Sequence, residues 1–160
     1  MRQVKTSINI GCSPGDIWRV LMDFPAYADW NPYIEQIVGV PAPGHKLRVT
    51  FTLPNGKRKI VRPRVSKLDI RRELRWYSSG FLPGMLRSEY VIRIVSRGAM
   101  GSTFYQDQIF SGLMLPLMAG GLLANAQGGL EAMNEALKRR CEDGPEMIEA
   151  PYPEALAQPA

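Results

Sequence analysis

Polar and apolar residues alternate with a period of two through most of the chain, and the last long segment then switches to a helical period. Gln3–Ile10 alternates and predicts a strand. Ser13 then caps a short helix over Pro14–Met22: Pro14 fits the first helical position, Asp16 follows the cap by three residues, and Ile17, Trp18, Val20 and Leu21 form the apolar face. A second short helical turn is expected over Ala26–Asp29, with Pro25 and Pro32 breaking the pattern and Phe24, Tyr27, Trp30 and Tyr33 crowded around it. Tyr33–Val40 returns to strand character and ends in the turn Pro41–Gly44.

Further strands follow. Lys46–Leu53 alternates cleanly and leads through Pro54, Asn55 and Gly56, a hairpin turn in which Asn-Gly tolerates positive φ. Lys57–Leu68 reads as one strand with a bulge or edge position at Pro63. Glu73–Ser79 sets Leu74, Trp76 and Ser78 on one face, Arg87–Val95 does the same with Tyr90, Ile92 and Ile94, and Ser102–Ser111 with Phe104, Gln106, Gln108 and Phe110. From Leu115 to Cys141 the apolar positions recur at helical spacing, from Leu115, Met118 and Leu122 to Leu130, Met133 and Leu137.

Strands joined by short turns imply an antiparallel sheet, and one of its faces must be covered. The terminal helix is the element long enough to do so. The expected fold is α+β: a strongly curved sheet around one long C-terminal helix, with two short helices after the first strand and a cavity between helix and sheet. Residues 1–142 form the expected domain, and 143–160 a proline-containing tail.

Composition changes this picture little. The net charge of +5 is spread over Lys57–Lys67, Arg71–Arg75 and Lys138–Arg140, without the focused stripe that nucleic-acid binding prefers, and reads as solvated strand faces and a helix end. Phe110–Ala126 is apolar, but Gly112, Pro116, Gly120 and Gly121 interrupt it and it falls short of the roughly 20 residues of a spanning helix. Cys12 and Cys141, expected near opposite ends of the fold, form neither a disulfide framework nor a metal site, which suits a reducing, cytoplasmic compartment. The opening MRQVKTSINI lacks the apolar core of a signal peptide.

The element order, together with SPGDIWRVLMDFPAYADWNPYI, RRELRWYSSGFLPG and FSGLMLPLMAGGLLANAQGGLEAMNEALKRRCE, resembles the SRPBCC superfamily of START-like, Bet v 1-like helix-grip proteins. The chain is most similar to bacterial members named polyketide cyclase/dehydrase. The resemblance implies a seven-stranded antiparallel sheet gripping the C-terminal helix, with a hydrophobic small molecule between them. It fixes no reaction, because the superfamily holds carriers and receptors as well as cyclases. Many such relatives carry a histidine where this chain has Tyr90 and a glutamate where it has Gln108. Tyrosine and glutamine donate and accept hydrogen bonds but do not shuttle protons near neutrality, which weakens a carried-over acid–base mechanism.

The sole histidine, His45, falls in a turn, and no metal, nucleophile-elbow or phosphate-loop pattern is present, so neither metal nor cofactor is expected. Trp76, Tyr90, Gln106 and Gln108 form the best polar-aromatic constellation, with Phe51, Ile92, Phe104, Phe110, Met118 and Leu122 as apolar lining. Arg62 and Arg64 flank Pro63. If the bulge turns one inward, a guanidinium, assigned here to Arg64, faces a ligand carboxylate or enolate; otherwise both lie on a solvated strand face. Two readings remain open. One is a binding module for a polyketide, aromatic, isoprenoid or lipid-like molecule. The other is a cyclase or dehydratase in which Tyr90, Gln108 and Arg64 act on that molecule.

Overall fold

The computed structural model describes residues 1–144; the expected tail lies almost entirely outside the described residues. Strand β1 (Arg2–Ile10) leads into α1 (Pro14–Met22), a 3-10 turn (Phe24–Ala26) and α2 (Tyr27–Trp30). The strands β2 (Ile34–Val38), β3 (Arg48–Thr52), β4 (Arg58–Val61), β5 (Arg64–Asp69), β6 (Glu73–Ser79), β7 (Arg87–Ser96) and β8 (Ser102–Ser111) follow, and α3 (Leu115–Asp143) closes the fold.

The strands form two antiparallel sheets, one in the order β1-β8-β7-β6-β5 and one in the order β2-β3-β4. An isolated bridge between Lys46 and Arg64 joins them. The helix grip is present, with eight strands rather than seven among the described residues. The segment expected to be one strand over 57–68 breaks at Arg62 and Pro63, because proline has no N–H for the ladder. The Pro63 carbonyl instead accepts from Leu47 N at 2.8 Å, so the break turns the chain from the small sheet into the large one.

Local chemistry sets the entry to the sheet. Ser13 Oγ accepts from Asp16 N at 3.2 Å and caps α1, whose Ile17, Trp18, Val20 and Leu21 are buried. Asn31 Oδ1 accepts from both Tyr33 N and Ile34 N at 2.9 Å, which bends the chain out of α2 into β2. The aromatic segment around Tyr27 is core, and the Tyr27 hydroxyl donates to Leu21 O at 2.7 Å.

Helix α3 has 29 residues and is about 43 Å long. Its second half is fixed to the sheet. Leu130, Met133, Leu137 and Cys141 are buried against it, Lys138 Nζ donates to Asn9 O at 2.9 Å, and Glu142 Oε1 accepts from Gly11 N at 2.8 Å. The two cysteines, expected far apart, meet here: Cys12 Sγ donates to Cys141 O at 3.2 Å, and both thiols are free. The helix folds back so that its end returns to the end of β1, a long-range closure that the spacing of the cysteines does not reveal. Much of the scattered basic charge sits on strand faces in ion pairs, including Lys67 and Arg75 with Glu73 and Arg93 with Asp107.

Candidate functional site

The inward faces of β6, β7 and β8 are those the alternation predicts, with Trp76, Tyr90, Ile92, Phe104, Gln106, Gln108 and Phe110 all buried. Position along the strands then divides them. At one end of the large sheet Leu74, Ile92, Ile94, Phe104 and Gln106 are all at most 5% exposed, and α3 is tied down there through Asn134, which accepts a hydrogen bond from Gln106. At the other end it overhangs a cavity of about 380 Å³.

The cavity wall contains Trp76, Tyr90, Gln108 and Phe110 from the large sheet and Phe51 from the small one, with Leu122, Asn125 and Ala126 of α3 as its roof. Two aromatic pairs line it. Trp76 and Tyr90 stack at 4.9 Å between centroids and 10° between planes, whereas Tyr33 and Phe51 tilt at 57° with centroids 5.0 Å apart. Trp76 and Tyr90 are direct partners in the β6–β7 register, so the ladder itself sets the stack.

Five of the residues expected at the site lie elsewhere. Gln106 is fully buried, and its Nε2 donates to Asn134 Oδ1 at 2.6 Å and to Leu130 O at 3.3 Å. Its Oε1 accepts from the Tyr90 hydroxyl. Phe104 and Ile92 are buried core and do not line the cavity. Met118 points to solvent at 42% exposure, because the start of α3 overhangs the sheet. Arg64 is exposed, and its Nη1 donates to Gly44 O at 2.6 Å, on the face opposite the inward Val65. The arginine on the cavity wall is Arg62, because the strand break at Pro63 lets it leave the β5 ladder.

Tyr33 was not expected at the site. Its hydroxyl donates to Gln108 Oε1 at 3.1 Å, and Gln108 Nε2 reaches Ser88 Oγ at 3.4 Å. A Cβ on Gly129 would lie 2.2 Å from the Tyr33 ring, so a glycine at that point of α3 is what admits the aromatic. The only sequence signal for this contact is a second glycine beside Gly128 on the helix. Burial pushes the Tyr33 phenol up to about 12 and the Tyr90 phenol well above its ordinary value, so both are neutral donors near neutral pH. The wall holds no carboxylate and no histidine; His45 is exposed in its turn. No cluster of metal-ligating side chains occurs among the described residues.

A larger groove, about 710 Å³, lies on the outer face of the small sheet beside Phe24 and Pro25 and is more open. It is not enclosed between the helix and the large sheet.

Residues 1–142 match the family described as polyketide cyclase/dehydrase and lipid transport. The chain belongs to this family. No curated protein sequence matches it. Among solved structures it is similar to MLL2253 from Mesorhizobium loti, at 19% identity and a TM-score of 0.68 over 89% of this chain and 98% of that one. A START superfamily protein from Mycobacterium smegmatis gives 20% identity and 0.69 over 88% and 97%. DynU16, described as a protein in the dynemicin biosynthetic locus, gives 19% and 0.67 over 89% of this chain and 48% of that one. These likenesses, all at 20% identity or below, show the fold alone. No helix among the described residues is long and apolar enough to cross a membrane.

Proposed function

We propose that this protein binds one hydrophobic small molecule, of polyketide, aromatic, isoprenoid or lipid-like character, between the sheet and the first half of α3. The observation that carries the reading is the cavity of about 380 Å³, lined by the Trp76–Tyr90 stack and the Tyr33–Phe51 pair. Planar or extended apolar ligands fit against such rings, and polar groups of the wall, Gln108 and Ser88 among them, orient them.

The family description also supports a cyclase or dehydratase reading, in which Tyr90 donates a proton and Gln108 orients a carbonyl. The binding reading is preferred on chemical grounds. The Tyr90 hydroxyl is already engaged with Gln106, and the wall offers no carboxylate or imidazole to accept a proton. Free thiols at Cys12 and Cys141 favour a cytoplasmic setting.

Organic extraction of the purified protein followed by mass spectrometry tests the proposal. A hydrophobic compound recovered at about one per chain is expected. A protein that yields none and shows no saturable uptake of an apolar probe would contradict it.

A further inference from the structure

We propose that the ligand is an amphipathic anion, whose headgroup sits at a cationic mouth formed by Lys59 and Arg62. The inference rests on the binding role of the cavity proposed above and adds its chemical class.

The mouth is a consequence of strand register. The last partner of β6 in β5 is Arg64, opposite Tyr77, so Ser78 and Ser79 extend past the ladder with no strand beside them on that edge. Beyond Arg64 the chain leaves for β4 through Pro63 and Arg62. The resulting gap between β4 and β6 is edged by Lys59, Arg62, Ser78 and Ser79, all of which contribute to the cavity wall.

The charge there is one-signed. Along β4, Arg58 and Lys59 point to opposite faces. Arg58 lies on the outer face and is paired with Glu35 at 2.7 Å. Lys59 is in register with the buried Phe51, which places it on the cavity face. Neither Lys59 nor Arg62 forms an ion pair with a described residue, and no acidic side chain contributes to the wall. Unpaired cations facing water alone are ordinary. Two at the rim of an enclosed aromatic cavity, beside two hydroxyls, form a complement to a molecule with an apolar body and one anionic end. Carboxylates and phosphate monoesters share this chemistry.

A matched pair of fluorescent probes tests the inference: anilinonaphthalene sulfonate, which is anionic, and N-phenylnaphthylamine, its neutral counterpart. We expect both to bind saturably, the anion about tenfold more tightly at low salt and losing that advantage as salt rises. Lys59→Gln with Arg62→Gln should remove the advantage while the neutral probe still binds saturably. Both positions are exposed, so the fold should tolerate the changes. A fatty acid and the alkyl phosphate of the same chain length, each competing against the sulfonate probe, distinguish the two headgroups, with the parent alcohol as neutral control. Equal binding of the two probes, insensitive to salt and to the double substitution, would overturn the anionic mouth while leaving the hydrophobic cavity standing. Saturable binding of neither probe would contradict both.

Discussion

The two halves of α3 have opposite relations to the same sheet. From Leu130 to Cys141 the helix is an anchor. It buries Leu130, Met133, Ala136, Leu137 and Cys141, satisfies Gln106 through Asn134, and is tied to the end of β1 by Lys138 and Glu142. From Leu115 to Asn125 it is a roof. Only Leu115 of that stretch is buried, Leu117 is 82% exposed, and added Cβ atoms at Gly120 and Gly121 would meet nothing. The anchored half supplies stability by packing, and the roof leaves volume unfilled where the aromatic walls lie. A cavity in this fold is the part of the helix–sheet contact that the protein does not complete.

Substitutions that should affect one half and not the other can break this contrast. The largest effect is expected from Leu130→Ala, which removes a fully buried side chain and should cost about 2–5 kcal/mol in urea unfolding. Leu122→Ala in the roof should cost less than about 1 kcal/mol, because it enlarges a space already open. Comparable losses at the two positions would mean that the roof is core.

The two inward glutamines make the same test with polar groups. Gln106→Leu strands Asn134 Oδ1, leaves the Tyr90 hydroxyl only the weak acceptor Met133 Sδ, and should cost about 1–3 kcal/mol. Gln108→Leu should cost less, since it removes the partner of a Tyr33 hydroxyl beside the cavity, and should show itself in ligand affinity.

Glycines sharpen the boundary between the halves. Gly129→Ala drives a methyl into the Tyr33 ring and should destabilise by about 1–3 kcal/mol. Gly121→Ala meets open space and should stabilise by about 0.5–1 kcal/mol through helix propensity. Opposite signs in thermal unfolding are the expected result.

Alkaline pH tests a single buried phenol beside the cavity. Tyr33 titrates near 12 in the folded protein against about 10 unfolded, so its contribution is fully present below pH 10 and is lost as pH rises toward 12. Tyr33→Phe should flatten part of that loss in pH-dependent unfolding. An unchanged slope would remove Tyr33 from the buried phenols.

The inward faces of β6, β7 and β8 were legible in the sequence, because side chains alternate with a strict period of two: Trp76, Tyr90, Gln106 and Gln108 all point inward as expected. The capped α1 and the long α3 were legible for the same local reasons, cap chemistry and helical spacing. Depth along the strand was not. Gln106 and Gln108 share a face and differ by two residues, yet one lies under the anchor and the other at the cavity, and that depends on where the helix lifts away. The same limit explains Arg62 and Arg64. Pro63 announced an irregularity, but whether it bulged or broke the strand was a matter of which sheet each side joined. In the sequence Tyr33 groups with Phe24, Tyr27 and Trp30, because its entry into the site depends on Gly129, almost a hundred residues away in the chain.

Amide hydrogen exchange with and without saturating N-phenylnaphthylamine tests the central claim most directly. The account predicts slowed exchange over the roof of α3, residues 115–126, and around Trp76 and Tyr90, with little change over residues 130–141, which are already fixed. Protection confined to the open groove around Gln36, Thr50 and Ile60, with none in the roof, would contradict it.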